Sequence, residues 1–173
     1  ALREGADFIK IFTSVGVASQ RDRPEYPQMM VNEIKAIVEE AESVGKFVHA
    51  HAEGRDGIIN ALNGGVKIIA HGIYIDEDGI NLMLEKDAVL IPTLTIADLI
   101  VKFGAEQGIP EWAYKKMTEV HEIHKRNIRN AYKSGVKIAV GTDLFVGVKG
   151  MDLYGMNSYE IMLLVKEAGM KPI

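Results

Sequence analysis

Hydrophobic and polar positions along the chain repeat one pattern: a segment of helical period, a glycine or turn, a short apolar run, and a polar residue where that run ends. The apolar runs predict five strands, over residues 8–12, 47–49, 66–71, 88–93 and 136–140. Stripes of helical period predict helices over 29–44, 56–62, 76–85, 110–133 and 158–168. Strands that alternate with helices pair in parallel, so the pattern predicts an α/β fold.

Two α/β architectures are compatible with this alternation, a doubly wound sheet and a (β/α)8 barrel. Polar residues decide between them, because Lys10, His49, His71 and Asp143 each lie at or just beyond the end of a different predicted strand. In a (β/α)8 barrel the carboxyl ends of the strands meet at one mouth, where reactive side chains collect. The sequence therefore predicts part of a (β/α)8 TIM barrel with about five of its eight βα units.

Composition and charge narrow the classes of function. The chain is 47% hydrophobic and 25% charged, as expected for one globular domain, and its net charge of −4 argues against nucleic-acid or membrane partners. No apolar stretch reaches the roughly 20 residues of a membrane span, and the first residues lack a signal peptide, so we expect a soluble, cytoplasmic protein. The absence of cysteine excludes thiolate chemistry and leaves His, Asp, Glu and Lys.

Histidines and one aspartate at the strand ends offer ligands for a divalent metal. In His49-Ala50-His51 the strand period of two puts both rings on one face, and His71 ends the next strand. A neutral imidazole at a barrel mouth suits zinc, manganese or iron, whereas a hydrogen-bonded core histidine is the alternative interpretation. Asp143 could cap a helix, or bind a metal and accept a proton from water.

Lys10 is unexpected because it shares one strand face with Phe8 and Phe12, where an ammonium group would be buried at a cost of several kcal/mol. Loss of the proton and reaction with carbon dioxide would remove this problem. The product is a carbamate, an anionic ligand that can bridge two cations.

Together these residues resemble the amidohydrolase superfamily, in which a Lys, two His and a Gly-Thr-Asp motif follow one another on successive strands. The branch with imidazolonepropionase-like proteins and metal-dependent Xaa-Pro dipeptidases (prolidases) is the most similar. Four local motifs also resemble those of this branch: Gly5-Ala6-Asp7-Phe8-Ile9-Lys10-Ile11, Val48-His49-Ala50-His51, Gly64-Gly65-Val66 and Ala70-His71-Gly72.

The resemblance implies a role for each of these residues. Lys10 would be the carbamylated ligand, His49 and His71 would bind metal, and Asp143 would be both a ligand and the general base. His51 would be a substrate-side residue. Tyr74, together with Arg21 and Arg23, lies in a loop after a strand and could contact a substrate carboxylate.

The same resemblance implies missing parts. The family's His-x-His pair on the first barrel strand has no counterpart here, nor has its flanking β-sandwich, and the chain lacks an initiator Met. We therefore expect residues 1–173 to be a partial amidohydrolase barrel domain and a fragment of a longer protein. Its expected partners are a small-molecule or dipeptide substrate and either a second copy of the chain or the missing part of the barrel.

The function that the resemblance implies is hydrolysis of an amide-type C–N bond, in an Xaa-Pro dipeptide or a cyclic amide, by water activated on one or two divalent ions, with zinc as the default. A mononuclear deaminase of the same superfamily and a non-catalytic barrel fragment are the alternatives. His121-Glu122-Ile123-His124 has its histidines three rather than four residues apart, so it does not match a zincin motif. Lysines and arginines surround this segment, which predicts a solvated helix face.

Overall fold

Five short strands of mainly apolar residues form one parallel sheet in the computed structural model, which describes residues 2–16, 19–21, 23–106, 108–144 and 153–172. The strands are β1 (Phe8–Phe12), β2 (Phe47–Ala52), β3 (Ile68–His71), β4 (Val89–Ile91) and β5 (Lys137–Ile138). Their order in the sheet is the order in the sequence, β1-β2-β3-β4-β5, and every neighbouring pair is parallel. A doubly wound sheet would reverse its strand order at a switch point, so the unbroken order confirms a partial barrel.

Helices connect the strands and cover one side of the sheet. They are α1 (Val31–Glu42), α2 (Arg55–Asn63), α3 (Glu77–Glu85), α4 (Leu94–Phe103), α5 (Glu111–Lys133) and α6 (Asn157–Lys166), with a short 3-10 turn at Leu2–Glu4. Five of them lie within one or two residues of predicted helices, whereas α4 was not predicted. No helix in the described segments combines the length and the apolar character needed to cross a bilayer.

The two faces of the sheet have different environments. Val48, Ala50, Ile69 and Leu90 point toward the helices and are fully or almost fully buried. Phe8, Phe12 and Phe47 point the other way, toward the axis of a barrel, and we call this side the inner face. The inner face is open, because these three side chains are 42%, 54% and 39% exposed.

One buried carboxylate fixes the start of α4. Glu160, on α6, is completely buried and accepts hydrogen bonds from the backbone N–H groups of Leu94 (2.9 Å) and Thr95 (2.7 Å) and from the Thr95 hydroxyl (2.6 Å). The first N–H groups of a helix lack partners inside the helix and attract negative charge. Glu160 supplies both the acceptor and the charge, so α6 holds α4 against the end of β4.

Candidate metal centre

Lys10 and His49 are direct neighbours across the first two strands. The parallel register pairs Lys10 with His49 and Phe12 with His51, so all four side chains lie on the inner face. The Lys10 ammonium is 5.7 Å from the centre of the Phe12 ring, whose centre lies 4.8 Å from that of His51. Lys10 itself is exposed here because the inner face is uncovered, so the expected burial of its ammonium group is not observed within this chain.

His71 reaches the same place through an unusual backbone conformation. The register pairs His71 with Ala52, so regular alternation would point its side chain toward the helices, together with Ile69. Instead His71 has a φ of 73°, in the left-handed region that costs a non-glycine residue of order 1–3 kcal/mol. Its ring contacts that of His51 edge-on, with 4.5 Å between the ring centres. The strained residue thus turns its imidazole into the site.

Glu53 completes a cluster of ligand-type atoms with these two rings. One atom each from His51, Glu53 and His71 lies within 4.8 Å of the others, and all three residues are buried. The loop that carries Glu53 is fixed by Ser14, whose hydroxyl accepts a hydrogen bond from the Glu53 backbone N–H (2.8 Å). Two imidazoles and a carboxylate at this separation can hold one divalent cation.

Hydrogen bonding determines which nitrogen of His71 can face a ligand. Nδ1 of His71 lies 2.7 Å from the Thr93 hydroxyl, at the end of β4, which leaves Nε2 available. Thr93 also has a left-handed backbone, with a φ of 55°. A hydrogen bond on one ring nitrogen that orients the other is the usual arrangement around metal-binding histidines.

His49 and the two histidines of the cluster are held neutral. Burial, assisted by the positive charge of Lys10, lowers the pKa of His49 and lowers that of His51 to about 4. Burial also lowers the pKa of His71 well below its ordinary value. Nε2 of His49 and Nε2 of His51 are buried and make no hydrogen bond to the described residues. Neutral rings with an unused buried nitrogen have the chemistry of metal ligands.

Asp143 lies at the same edge, beyond β5. Its backbone is left-handed, with a φ of 53°, and partial burial raises the pKa of its carboxyl while the charge of Lys10 opposes the rise. Asp143, Glu53, His71 and Thr93 line a cavity of about 120 Å³ that is otherwise mainly apolar. His71 and Asp143 therefore lie at or beyond the carboxyl ends of β3 and β5, whereas Lys10 and His49, which were expected at strand ends, lie in the middle of β1 and β2. Lys10 and His49 share the inner face, and the role of all four residues as metal ligands stays a prediction.

Tyr74 lies beside a different cavity. This space of about 350 Å³ is lined by Tyr74 and Arg23 together with Lys116, among others, and Arg21 is not part of its wall. The backbone N–H of Tyr74 donates to the Glu53 carbonyl (2.9 Å), so the two cavities share a loop. The structure thus brings Tyr74 and Arg23 together close to the histidine cluster.

Sequence reasoning missed three residues of this region, Glu53, Thr93 and His124. The prediction of a solvated face around His121 and His124 is wrong, since their exposed fractions are 5% and 1%. Nε2 of His124 donates to the carbonyl oxygen of His71 at 3.0 Å. Of the surrounding basic residues, Lys115, Arg126 and Arg129 are exposed, whereas Lys116 and Lys125 are partly buried. Residues three apart share one face of a helix, so His121 and His124 are buried together.

Histidines and carboxylates gathered at the C-terminal edge of a partial (β/α)8 barrel are typical of barrel enzymes, whose active sites lie at this edge. The model of the amidohydrolase family matches residues 1–172, and the chain belongs to this family. It is 33% identical to ochratoxinase from Aspergillus niger over 172 residues, which is 99% of this chain and 34% of ochratoxinase.

Solved structures of amidohydrolases are also similar to this chain. The crystal structure of A. niger ochratoxinase superposes with a TM-score of 0.84 at 34% identity and covers 99% of this chain and 37% of that one. A Xaa-Pro dipeptidase with methionine bound in its active site gives a TM-score of 0.83 at 33% identity, with 98% and 40% coverage. A prolidase complexed with N-methylphosphonate-L-proline gives 0.86 at 34% identity, with 97% and 40% coverage. The chain spans about a third of the length of the curated relatives it matches.

Proposed function

We propose that this chain carries the metal-binding half of an amidohydrolase that cleaves amide-type C–N bonds. The observation that carries the proposal is the cluster of His51, Glu53 and His71, in which ligand atoms of three buried residues lie within 4.8 Å of one another. The lowered pKa values of His51 and His71 keep both rings in the form that binds cations.

The residues of the cluster fit a divalent cation, because the buried Nε2 of His51 makes no hydrogen bond to the described residues and lies 3.9 Å from Oε1 of Glu53. His71 and Asp143 keep the ligand roles assigned from the sequence, and Lys10 that of a carbamate ligand. For the remaining imidazole we favour His51 over His49, because the ring of His51 contacts that of His71. Zinc suits this set of nitrogen and oxygen ligands.

A bound divalent cation would supply a water of lowered pKa and polarise the carbonyl of the scissile amide. Asp143 would accept the proton of that water and return it to the departing nitrogen. The raised pKa of the Asp143 carboxyl makes it a better proton acceptor than an ordinary aspartate, and its position on the wall of the smaller cavity puts it beside His71.

The substrate class that we propose is an amide with a free carboxylate, such as an Xaa-Pro dipeptide. Ochratoxinase and prolidase relatives support this class. Tyr74 and Arg23, on the wall of the larger cavity, offer a hydroxyl and a guanidinium to that carboxylate. A cytoplasmic location, as the sequence suggests, is part of this proposal.

The test compares two histidine variants in the longest form of the protein that the gene encodes. We expect His51→Asn to lose one zinc equivalent and most hydrolysis of Xaa-Pro dipeptides, and His49→Asn to keep its zinc. The measurements are metal content by plasma mass spectrometry and product formation by amine detection. The reverse result would return the ligand role to His49, and zinc-free wild-type protein would contradict the metal site altogether.

Lys10→Ala tests the carbamate separately. We expect this variant to lose metal and activity, and short carboxylic acids such as acetate to restore part of both. Intact metal content in Lys10→Ala, with a single ion per chain, would favour the mononuclear deaminase instead.

A further inference from the structure

His124 is a buried polar residue that the proposed chemistry does not use. It lies on α5, is 1% exposed, and shares the wall of the smaller cavity with His71, Thr93 and Asp143. Burial lowers the pKa of its ring to about 4, so the ring is neutral. A buried neutral histidine in this position needs a structural or functional reason.

The hydrogen bond between the His124 ring and His71 has a defined direction. Nε2 of His124 lies 3.0 Å from the carbonyl oxygen of His71, which can only accept, so Nε2 carries the proton. The neutral ring then has no proton on Nδ1, which is buried without a partner among the described residues. The bond therefore fixes the tautomer of His124 and points its donor at the backbone of one residue.

That residue, His71, is one of those with a left-handed, strained backbone. His71 ends β3 in the left-handed region, and its carbonyl oxygen accepts a hydrogen bond from His124 on α5. A buried carbonyl without a donor carries a desolvation cost, so the bond from His124 stabilises the turned conformation relative to the regular strand. Thr93 holds the ring of His71 and His124 holds its main chain.

We infer that His124 is a positioning residue, which keeps His71 in the conformation that presents Nε2 to the site. The inference rests on the proposed function in that it takes His71 as a metal ligand. His124 acts through the backbone of His71, and its own ring atoms are not assigned to the metal.

The experiment uses two substitutions of His124 and one matched control, in the longest form of the protein that the gene encodes. His124→Leu removes the donor, whereas His124→Gln retains an Nε2–H donor on a flexible side chain of similar length. His121→Leu is the control, because His121 is also buried and on α5 but contacts Asp98 (3.5 Å) rather than His71.

Zinc affinity, measured by competition with a chelator, is the first readout. We expect a loss of about 10–100-fold in His124→Leu, as is typical when a residue that orients a ligand is removed. His124→Gln should recover most of this loss, and His121→Leu should bind zinc like the wild type even if its melting temperature falls. Equal losses in His124→Leu and His124→Gln, or an equal loss in His121→Leu, would overturn the inference.

Amide hydrogen exchange of the metal-free protein is the second readout. The N–H of Gly72 donates to the carbonyl of Ala52 (3.0 Å), directly after His71, so its protection reports the turn itself. We expect exchange at Gly72 to be about tenfold faster in His124→Leu and close to the wild type in His124→Gln. If the wild type binds no zinc, the proposed function fails, while unchanged exchange at Gly72 would still refute the role of His124.

Discussion

Acid should destabilise this fold over a defined pH range, because the folded chain buries histidines in their neutral form. The pKa values of His51 and His124 are both lowered from 6.5 to about 4. Between these values the unfolded chain binds protons that the folded chain excludes, so stability is complete above pH 6.5 and is lost as the pH falls toward 4. At 1.36 kcal/mol per pKa unit, each ring contributes on the order of 3 kcal/mol.

Two rings of this kind amount to about 6 kcal/mol, which is comparable with the 5–15 kcal/mol by which domains are typically stable. Urea unfolding of the metal-free protein at half-unit steps from pH 4.5 to 7.5 measures the effect. His124→Gln removes one titrating ring, so the plot of unfolding free energy against pH should lose a slope of up to about 1.4 kcal/mol per pH unit. Lys35→Gln, at an exposed position of α1, is the control and should leave the slope unchanged.

Equal slopes for the wild type, His124→Gln and His51→Gln between pH 4.5 and 6.5 would refute this reasoning. Such a result would mean that these rings accept protons in the folded chain as readily as in the unfolded one. Burial would then not control their charge, and their readiness to bind a cation at neutral pH would need another cause.

Three further predictions concern the framework. Replacing Glu160 by Leu should lower the unfolding free energy by about 3–5 kcal/mol, because the N–H of Thr95 and its neighbours lose a buried acceptor. Glu160→Gln should lower it less. Equal urea midpoints for the wild type and Glu160→Leu would contradict this prediction. Gly72→Ala should lower the melting temperature more than Gly135→Ala, since the new Cβ meets Leu90 at 2.7 Å in the first case and open space in the second. Residues 1–173 expressed alone should bind zinc weakly, hydrolyse no dipeptide and form oligomers, as measured by light scattering. Replacing the three inner-face phenylalanines by serine should restore a monomer. A wild-type monomer that is zinc-replete and active would contradict this prediction.

Most of the fold could be predicted from the sequence, because the periodicity of apolar residues depends only on neighbouring positions along the chain. Apolar runs and helical stripes identified five strands and five helices, and their alternation with polar strand ends identified the barrel. The missed helix, α4, is apolar on nearly all sides, and Thr93 before it makes no side-chain cap. Its start is fixed by Glu160, about 65 residues later, and no short-range pattern contains such a contact.

The sequence predicted which strands carry the candidate ligands, but it placed Lys10 and His49 at strand ends, whereas they lie within β1 and β2. Register explains why Lys10 and His49 are neighbours, but the contact between His51 and His71 depends on one left-handed residue that interrupts the alternation. Sequence alone gives no signal for a positive φ at a histidine. His124 was missed for a similar reason, because a helix rich in charge looks solvated until the strand end beneath it is known.

The sequential strand order also determines the order in which the strands can pair during synthesis. Each strand of this sheet pairs with the strand synthesised just before it, so a chain that emerges from the ribosome can add one βα unit at a time to a growing edge. The connections that these steps close differ in length, from residues 53–67 between β2 and β3 to residues 92–136 between β4 and β5, but each of them joins consecutive strands. The ligand-bearing residues, by contrast, are spread from Lys10 at the first strand to Asp143 after the last. On the proposed function, metal capture is a late event in biogenesis, because a truncated nascent chain would carry His51, Glu53 and His71 before it carried Asp143, the proposed general base.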